Sequence, residues 1–117
     1  MKVFYLENEE MLQKVMEDVF QQSEHEIYTR NSLGEWKYLI DDLAPDLLLL
    51  DLEAMELSEE VSFEDVYATQ IPIAVIKRVH GLVDENLLNH SSLSFICEKP
   101  FSPIELLEKI EKFFVSH

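Results

Sequence analysis

The 117-residue sequence has little glycine, a single cysteine and few basic side chains. Its two glycines, Gly34 and Gly81, cannot form a G-x-G-x-x-G or Walker phosphate loop, which excludes dinucleotide binding and P-loop chemistry. The lone Cys97 excludes a disulfide framework, a CxxC redox pair and a cysteine-rich zinc site, and we interpret it as a small core residue. The four histidines show no metal-ligand spacing.

The charge is strongly unbalanced, because 9 Lys and Arg side chains stand against 24 Asp and Glu side chains, a formal net charge of −15. Phosphate backbones are bound by basic side chains, so nucleic acid is not expected as a direct partner. With 47% hydrophobic residues, the chain is apolar enough to form one folded domain over residues 1–117 rather than a disordered acidic tail.

No segment of the sequence predicts a secretory signal or a membrane span. The apolar run at residues 3–6 ends at Glu7 and has no cleavage site. The other apolar runs are far shorter than the roughly 20 residues that span a bilayer. We therefore predict a soluble, cytoplasmic protein that does not act at a membrane.

Short apolar runs alternate with amphipathic stretches along the whole chain. Five of these runs predict strands, at residues 3–6, 27–28, 47–50, 72–76 and 93–97. The stretches between them predict helices from residue 9 onward, at residues 33–43, near residues 59–67 after a loop, at residues 82–88, and from Ser102–Pro103. The apolar face of the last helix is predicted to comprise Ile104, Leu106, Leu107, Ile110 and Phe113 or Phe114.

Five repeats of strand and helix indicate an α/β protein with a parallel sheet and helices on both faces. In such a sheet the functional site lies at the carboxyl ends of the strands. The side chains that follow directly on four of the predicted strands are Glu7, Asn8 and Glu9, then Asp51, Lys77 and Lys99.

An acidic loop, a central aspartate and a lysine before a proline are the parts of an aspartyl-phosphate site. A carboxylate such as that of Asp51 is the nucleophile that accepts a phosphoryl group. A neighbouring acidic pair holds Mg²⁺, and a lysine supplies positive charge to the phosphoryl oxygens.

In these features the chain resembles the receiver domain of bacterial response regulators, the CheY-like family, over essentially its whole length. The resemblance rests on the segments Pro45-Asp46-Leu47-Leu48-Leu49-Leu50-Asp51, Ile71-Pro72-Ile73 and Glu98-Lys99-Pro100-Phe101, together with Phe95. It implies a flavodoxin-like (βα)5 fold, doubly wound, with strand order 2-1-3-4-5. It also implies a signal-transduction role in a two-component or phosphorelay system, with a histidine kinase or another signalling protein as partner. No enzyme activity is implied beyond self-phosphorylation and autodephosphorylation at Asp51.

The resemblance gives four residues a role. Asp51 falls on the phosphoacceptor position and Lys99 on the invariant lysine. The Lys99–Pro100 peptide falls on a bond that is commonly cis in receivers. Phe95 takes the place of the aromatic residue whose rotation reports phosphorylation.

The metal site departs from the family pattern. Glu7 and Asn8 stand where the family usually has two aspartates, and they would form the site together with Asp51. The loss of one carboxylate weakens Mg²⁺ binding, although Glu9 or Glu10 could partly substitute. The expected Mg²⁺ site is therefore weak or absent.

The end of the fourth strand departs as well. Lys77 replaces the hydroxyl residue that contacts the phosphoryl group in the family, and Arg78 replaces a small residue. We hypothesise that Lys77 and Lys99 flank Asp51 and hold the site near one state, since an ion pair there competes with a metal for the aspartate.

Three functions remain open at this stage. The first is a receiver that is phosphorylated at Asp51, and the second is a pseudo-receiver that works as a binding module without phosphorylation. The third is a flavodoxin-like FMN domain, which the acidic loop after the first strand disfavours because it repels phosphate. A homodimer is also open, through the face of the fourth helix, the fifth strand and the last helix. That face would involve Leu82, Val83, Leu87, Phe95, Pro103 and Ile104.

Overall fold

The computed structural model describes residues 1–58, 61–78 and 93–116. These residues form a parallel sheet in the order β2-β1-β3-β4-β5 with helices packed against it, which confirms the predicted fold class. The strands are β1 (Lys2–Leu6), β2 (Glu26–Arg30), β3 (Leu47–Asp51), β4 (Ile73–Arg78) and β5 (Leu93–Lys99). The helices are α1 (Glu10–Gln21), α2 (Trp36–Leu43), α3 (Leu52–Glu56), α4 (Phe63–Tyr67) and α5 (Pro103–Ser116). The helix predicted at residues 82–88 lies outside the described residues.

The central strand β3 is buried on both faces of the sheet, which explains its unbroken run of leucines. Successive side chains of a strand point to opposite faces. Leu47 and Leu49 lie in the core cluster shared with α1 and α5, and Leu48 and Leu50 lie in the cluster shared with α2, α3 and α4. Burial on both sides overrides the helix propensity of leucine and favours a strand.

The strand register brings the carboxyl ends of four strands to one edge of the sheet. Leu6 of β1 lies beside Leu50 of β3, and Asp51 lies beside Ile76 of β4. Arg78 of β4 then pairs with Lys99 of β5. The polar residues at these strand ends are therefore neighbours in space, as the sequence predicts.

The region after β3 differs from the prediction of a loop and one short helix. α3 begins directly after Asp51, because the Asp51 Oδ1 atom accepts a hydrogen bond of 2.9 Å from the backbone N–H of Ala54 and caps the helix. α4 then begins after Ser62, which forms a capping box with Asp65.

Two strands are longer than predicted, and one helix is shorter. β4 extends to Arg78 and β5 extends to Lys99, so Lys77 and Lys99 lie inside the strands rather than after them. α2 begins at Trp36 instead of residue 33, after Glu35 in the left-handed backbone region (φ 57°).

The prediction that Ile104 belongs to the buried face of α5 is wrong. Leu106, Ile110 and Phe113 lie in the core at the spacing of one helical face, whereas Ile104 is 63% exposed. Ile104 lies in the first turn, two positions before Leu106, and a two-residue step turns a side chain to the far side of a helix. None of the helices within the described residues is long and apolar enough to cross a membrane.

Candidate functional site

The centre of the site is the Lys99 ammonium group, which contacts three carboxylates. Its Nζ atom lies 2.9 Å from Glu7 Oε2, 2.9 Å from Asp51 Oδ2 and 2.6 Å from Glu9 Oε2. The Lys99 side chain is 10% exposed and that of Asp51 is 3% exposed, while that of Glu7 has no exposed surface. One buried cation therefore balances two buried carboxylates and one at the surface.

Asp51 uses both of its carboxylate oxygens. Oδ1 caps α3 through the Ala54 N–H, and Oδ2 is paired with Lys99. Because each oxygen already has a strong partner, the carboxylate is fixed between the start of α3 and the end of β5.

Glu7 is held in the core by a hydroxyl group that the sequence interpretation missed. The Tyr5 hydroxyl donates a hydrogen bond of 2.7 Å to Glu7 Oε1, and the Glu9 N–H donates one of 3.1 Å to Oε2. Tyr5 and Glu7 are two residues apart and therefore lie on the same side of the chain, which is the signal that could have identified the pair. The fully buried Glu7 side chain thus has a donor at each oxygen.

These contacts shift the pKa values of the groups in the site. Burial and the Glu7 carboxylate raise the pKa of the Tyr5 phenol well above its usual range. Burial alone would lower the pKa of Lys99, but the hydrogen bonds to Glu9, Glu7 and Asp51 outweigh it, and the pKa is raised. The hydrogen bond from Lys99 lowers the pKa of Glu9 below its ordinary value of 4.5.

The structure brings Lys99 to Asp51 but does not bring Lys77 there, which corrects the hypothesis that both lysines flank the aspartate. The Lys77 Nζ atom lies 3.7 Å from Glu98 Oε1, and its side chain is 22% exposed. The physical reason is the parallel register, which places Lys77 directly beside Glu98 on the next strand.

Arg78 forms an ion pair with Glu53, the second residue of α3. Its positive charge also contributes to the lowered pKa of Glu9. Arg78 is thus a second basic side chain at the carboxyl edge of the sheet, paired with a helix that begins at Asp51.

The donor atoms of the site do not fit a divalent cation as they are arranged. The Oδ1 atom of Asn8 is buried without a hydrogen-bond partner, and such an oxygen is suited to Mg²⁺. The three carboxylates, however, converge on the ammonium of Lys99. Across residues 1–58, 61–78 and 93–116, no group of three or more His, Cys, Asp or Glu side chains is arranged to hold a metal.

Three neighbouring features of β5 agree with the sequence interpretation. The Lys99–Pro100 peptide is cis, as the resemblance implied. Cys97 is buried, and burial raises the pKa of its thiol. Phe95 is half-buried against the core, with its ring 6.4 Å from that of Phe113, and its role as a switch stays a prediction.

Comparison with known proteins finds similarity in structure but not in sequence. No protein-family model matches the sequence, and no curated protein matches it. The signal receiver domain of a protein described as a LuxO repressor, from Vibrio parahaemolyticus, superposes with a TM-score of 0.80 at 19% identity, covering 98% of this chain and 90% of that one. The chain has the receiver-domain fold.

Two further receiver-fold structures support this assignment. The chemotaxis protein CheY4 from Vibrio cholerae has a TM-score of 0.73 at 17% identity, with 96% of this chain and 97% of that chain covered. A protein from the streptococci, described as belonging to a family of redox sensors that evolved from two-component response regulators, has a TM-score of 0.81 at 16% identity. That match covers 98% of this chain and 51% of the redox sensor. The receiver fold therefore rests on structure, and the roles of the site residues have to be argued from geometry.

Proposed function

We propose that this chain is a receiver-type signalling module that acts through protein–protein contacts, with Asp51 held by Lys99 instead of switched by a phosphoryl group. The observation that carries the proposal is the contact of one buried ammonium with Glu7, Glu9 and Asp51 at 2.6–2.9 Å. The partner would be a histidine kinase or another signalling protein, in the cytoplasm.

The first argument is competition for the Asp51 carboxylate. A phosphodonor has to reach an oxygen of a residue that is 2% exposed, and Oδ2 is paired with Lys99 while Oδ1 caps α3. Separating a buried ion pair leaves charges without solvent or partner, which costs several kcal/mol. Phosphorylation of Asp51 would therefore require the cluster to open first.

The second argument is that Lys99 fills the position that a metal needs. A divalent cation would have to displace the ammonium from the point where the three carboxylates meet. Lys99 holds its proton firmly, because its pKa is raised in the folded chain, so it does not become a neutral group that could leave easily. We therefore expect Mg²⁺ binding to be weak or absent.

The redox sensor of the streptococci supports a role without a kinase in general terms. It is described as having evolved from two-component response regulators, and its structure superposes on nearly all of this chain. This likeness favours a receiver fold that serves a different input.

A second candidate function is a receiver that is phosphorylated at Asp51, with Lys99 as the counter-charge and Phe95 as the switch. The unpartnered Asn8 Oδ1 atom favours it, because this oxygen lies where a metal-binding receiver would use a ligand. In this case Asn8, Glu7 and Asp51 would hold Mg²⁺.

Intact-mass spectrometry after incubation with a small phosphodonor and Mg²⁺ separates the two functions. We expect no phosphate adduct on the wild-type protein, because Asp51 stays paired with Lys99. The matched control is Asp51→Asn, which cannot form an aspartyl phosphate. A stoichiometric adduct on the wild-type protein that is absent from Asp51→Asn would establish the second function instead.

A further inference from the structure

We propose that a groove between α1 and α5 is a docking site for a basic, amphipathic segment of a partner protein. The groove has a volume of about 610 Å³. Its lining includes Asp18, Val19, Glu24, Ile104, Leu107 and Glu111. It combines an apolar floor with an acidic rim.

The apolar part of the groove is formed by Val19 of α1 and by Leu107 and Ile104 of α5. Val19 and Leu107 are half-buried, and Ile104 is 63% exposed although the helix has a well-formed core face elsewhere. A β-branched apolar side chain left in solvent at the edge of such a groove is available to a partner's apolar residue.

The acidic rim has no positive charge to balance it. Asp18, Glu24 and Glu111 form no ion pair with any described residue, and no Lys or Arg lines the groove. Uncompensated carboxylates around an apolar floor attract cationic groups and speed their approach.

The occupant that fits these features is a helix or extended segment with Lys or Arg flanking apolar residues. Helix-in-groove recognition places the apolar side chains on the floor and the charged ones on the rim. A second copy of this chain is disfavoured, because it would bring a net charge of −15 against the same acidic rim.

The groove is independent of the proposed function at Asp51. No residue of its lining shares a hydrogen bond or ion pair with Glu7, Asp51 or Lys99 among the described contacts. Binding at the groove is therefore expected to be the same in Asp51→Asn as in the wild-type protein, whatever the phosphodonor experiment gives.

The test uses a synthetic peptide with leucines at helical spacing and lysines at the other positions. Its affinity is measured by fluorescence anisotropy at physiological salt, and its position by amide chemical shifts. A scrambled peptide of the same composition controls for simple charge attraction. We expect the shifts to fall on the end of α1, on residues 22–25 and on the first half of α5.

Two variants with the same change in net charge sharpen the test. The pair Asp18→Lys and Glu111→Lys reverses the rim, while Asp42→Lys and Glu56→Lys reverses exposed acids of α2 and α3 on the other face of the sheet. We expect the first pair to weaken binding at least about tenfold and the second less than about twofold.

A third variant, Ile104→Gln, tests the apolar floor without changing charge, and we expect it to weaken binding about fivefold. Circular dichroism checks that each variant folds. Equal losses in the two charge-reversed pairs, shifts away from the groove, or equal binding of the scrambled peptide would overturn the proposal. So would self-association of the chain through the same residues, since the occupant would then be a second copy.

Discussion

Replacing Lys99 with methionine is expected to destabilise the fold by about 3 kcal/mol at neutral pH, because it leaves two buried carboxylates without a cation. Glu7 and Asp51 are almost fully buried and both contact the Lys99 ammonium at 2.9 Å. Glu9 is half-exposed, so its own pair with Lys99 adds little to the loss. Methionine keeps most of the apolar stem, which isolates the effect of the charge. Urea unfolding followed by circular dichroism measures the change.

The matched control is Lys14→Met, since Lys14 is 73% exposed and its pair with Glu10 spans 3.8 Å. That change is expected to cost less than about 0.5 kcal/mol. The deficit of Lys99→Met should shrink at acidic pH, where the carboxylates take up protons in place of the ammonium. A loss below about 1 kcal/mol at neutral pH would contradict a structural role for this cation.

The pKa shifts fix how the wild-type cluster responds to pH. The pKa of Lys99 is raised on folding, so its contribution is fully present below the ordinary value of 10.5 and is lost as pH rises through the higher pKa of the folded chain. The pKa of Glu9 is lowered, so its small contribution is present above 4.5 and is lost as pH falls through the lowered pKa.

Replacing Tyr5 with phenylalanine is expected to cost about 2 kcal/mol, because a buried carboxylate oxygen loses its hydrogen-bond donor. Tyr5 and Glu7 have no exposed surface, and the hydroxyl donates to Glu7 Oε1 at 2.7 Å. The aromatic ring stays in the core, so packing changes little. Urea unfolding again measures the free energy.

The control for this change is Tyr38→Phe, which removes a hydroxyl from a side chain that is 77% exposed. It should change the free energy of unfolding by less than about 0.5 kcal/mol. Equal effects of the two variants would mean that the Tyr5 hydroxyl does not hold Glu7 in place.

The parts of the fold that are set by apolar pattern could be predicted from the sequence. The unalternating leucines of β3 and the serine and proline at residues 102–103 gave the right elements, and the alternation of strands and helices gave the parallel sheet. Because parallel strands end at one edge, Asp51 and Lys99 were also expected to meet. The structure places them 2.9 Å apart.

The parts that depend on individual side-chain partners could not be predicted. Lys77 turns to Glu98 because β4 is longer than its apolar run, and strand length is set by backbone pairing that the sequence does not display. α3 starts directly after β3 because one Asp51 oxygen caps it. The Tyr5–Glu7 hydrogen bond is hidden because a tyrosine in a buried strand looks like any other core aromatic residue.

These contacts give Lys99 the part that a metal ion and a phosphoryl group share in a switching receiver. It joins the loop after β1, the end of β3 and the end of β5 through Glu7, Glu9 and Asp51. Tyr5 supports this cluster from below and Arg78 pairs with Glu53 beside it. In our proposal a partner protein, rather than the state of Asp51, then decides the output.

A titration with Mg²⁺ and beryllofluoride, followed by amide chemical shifts, tests the proposed hold of Lys99 on Asp51 most directly. Beryllofluoride with Mg²⁺ mimics the phosphoryl group on an aspartate, so it reports metal binding and switching together. The account predicts that the amides of Asp51, Ala54, Phe95 and Lys99 do not shift at millimolar concentrations of both. Saturating shifts at these positions that disappear in Asp51→Asn would contradict it.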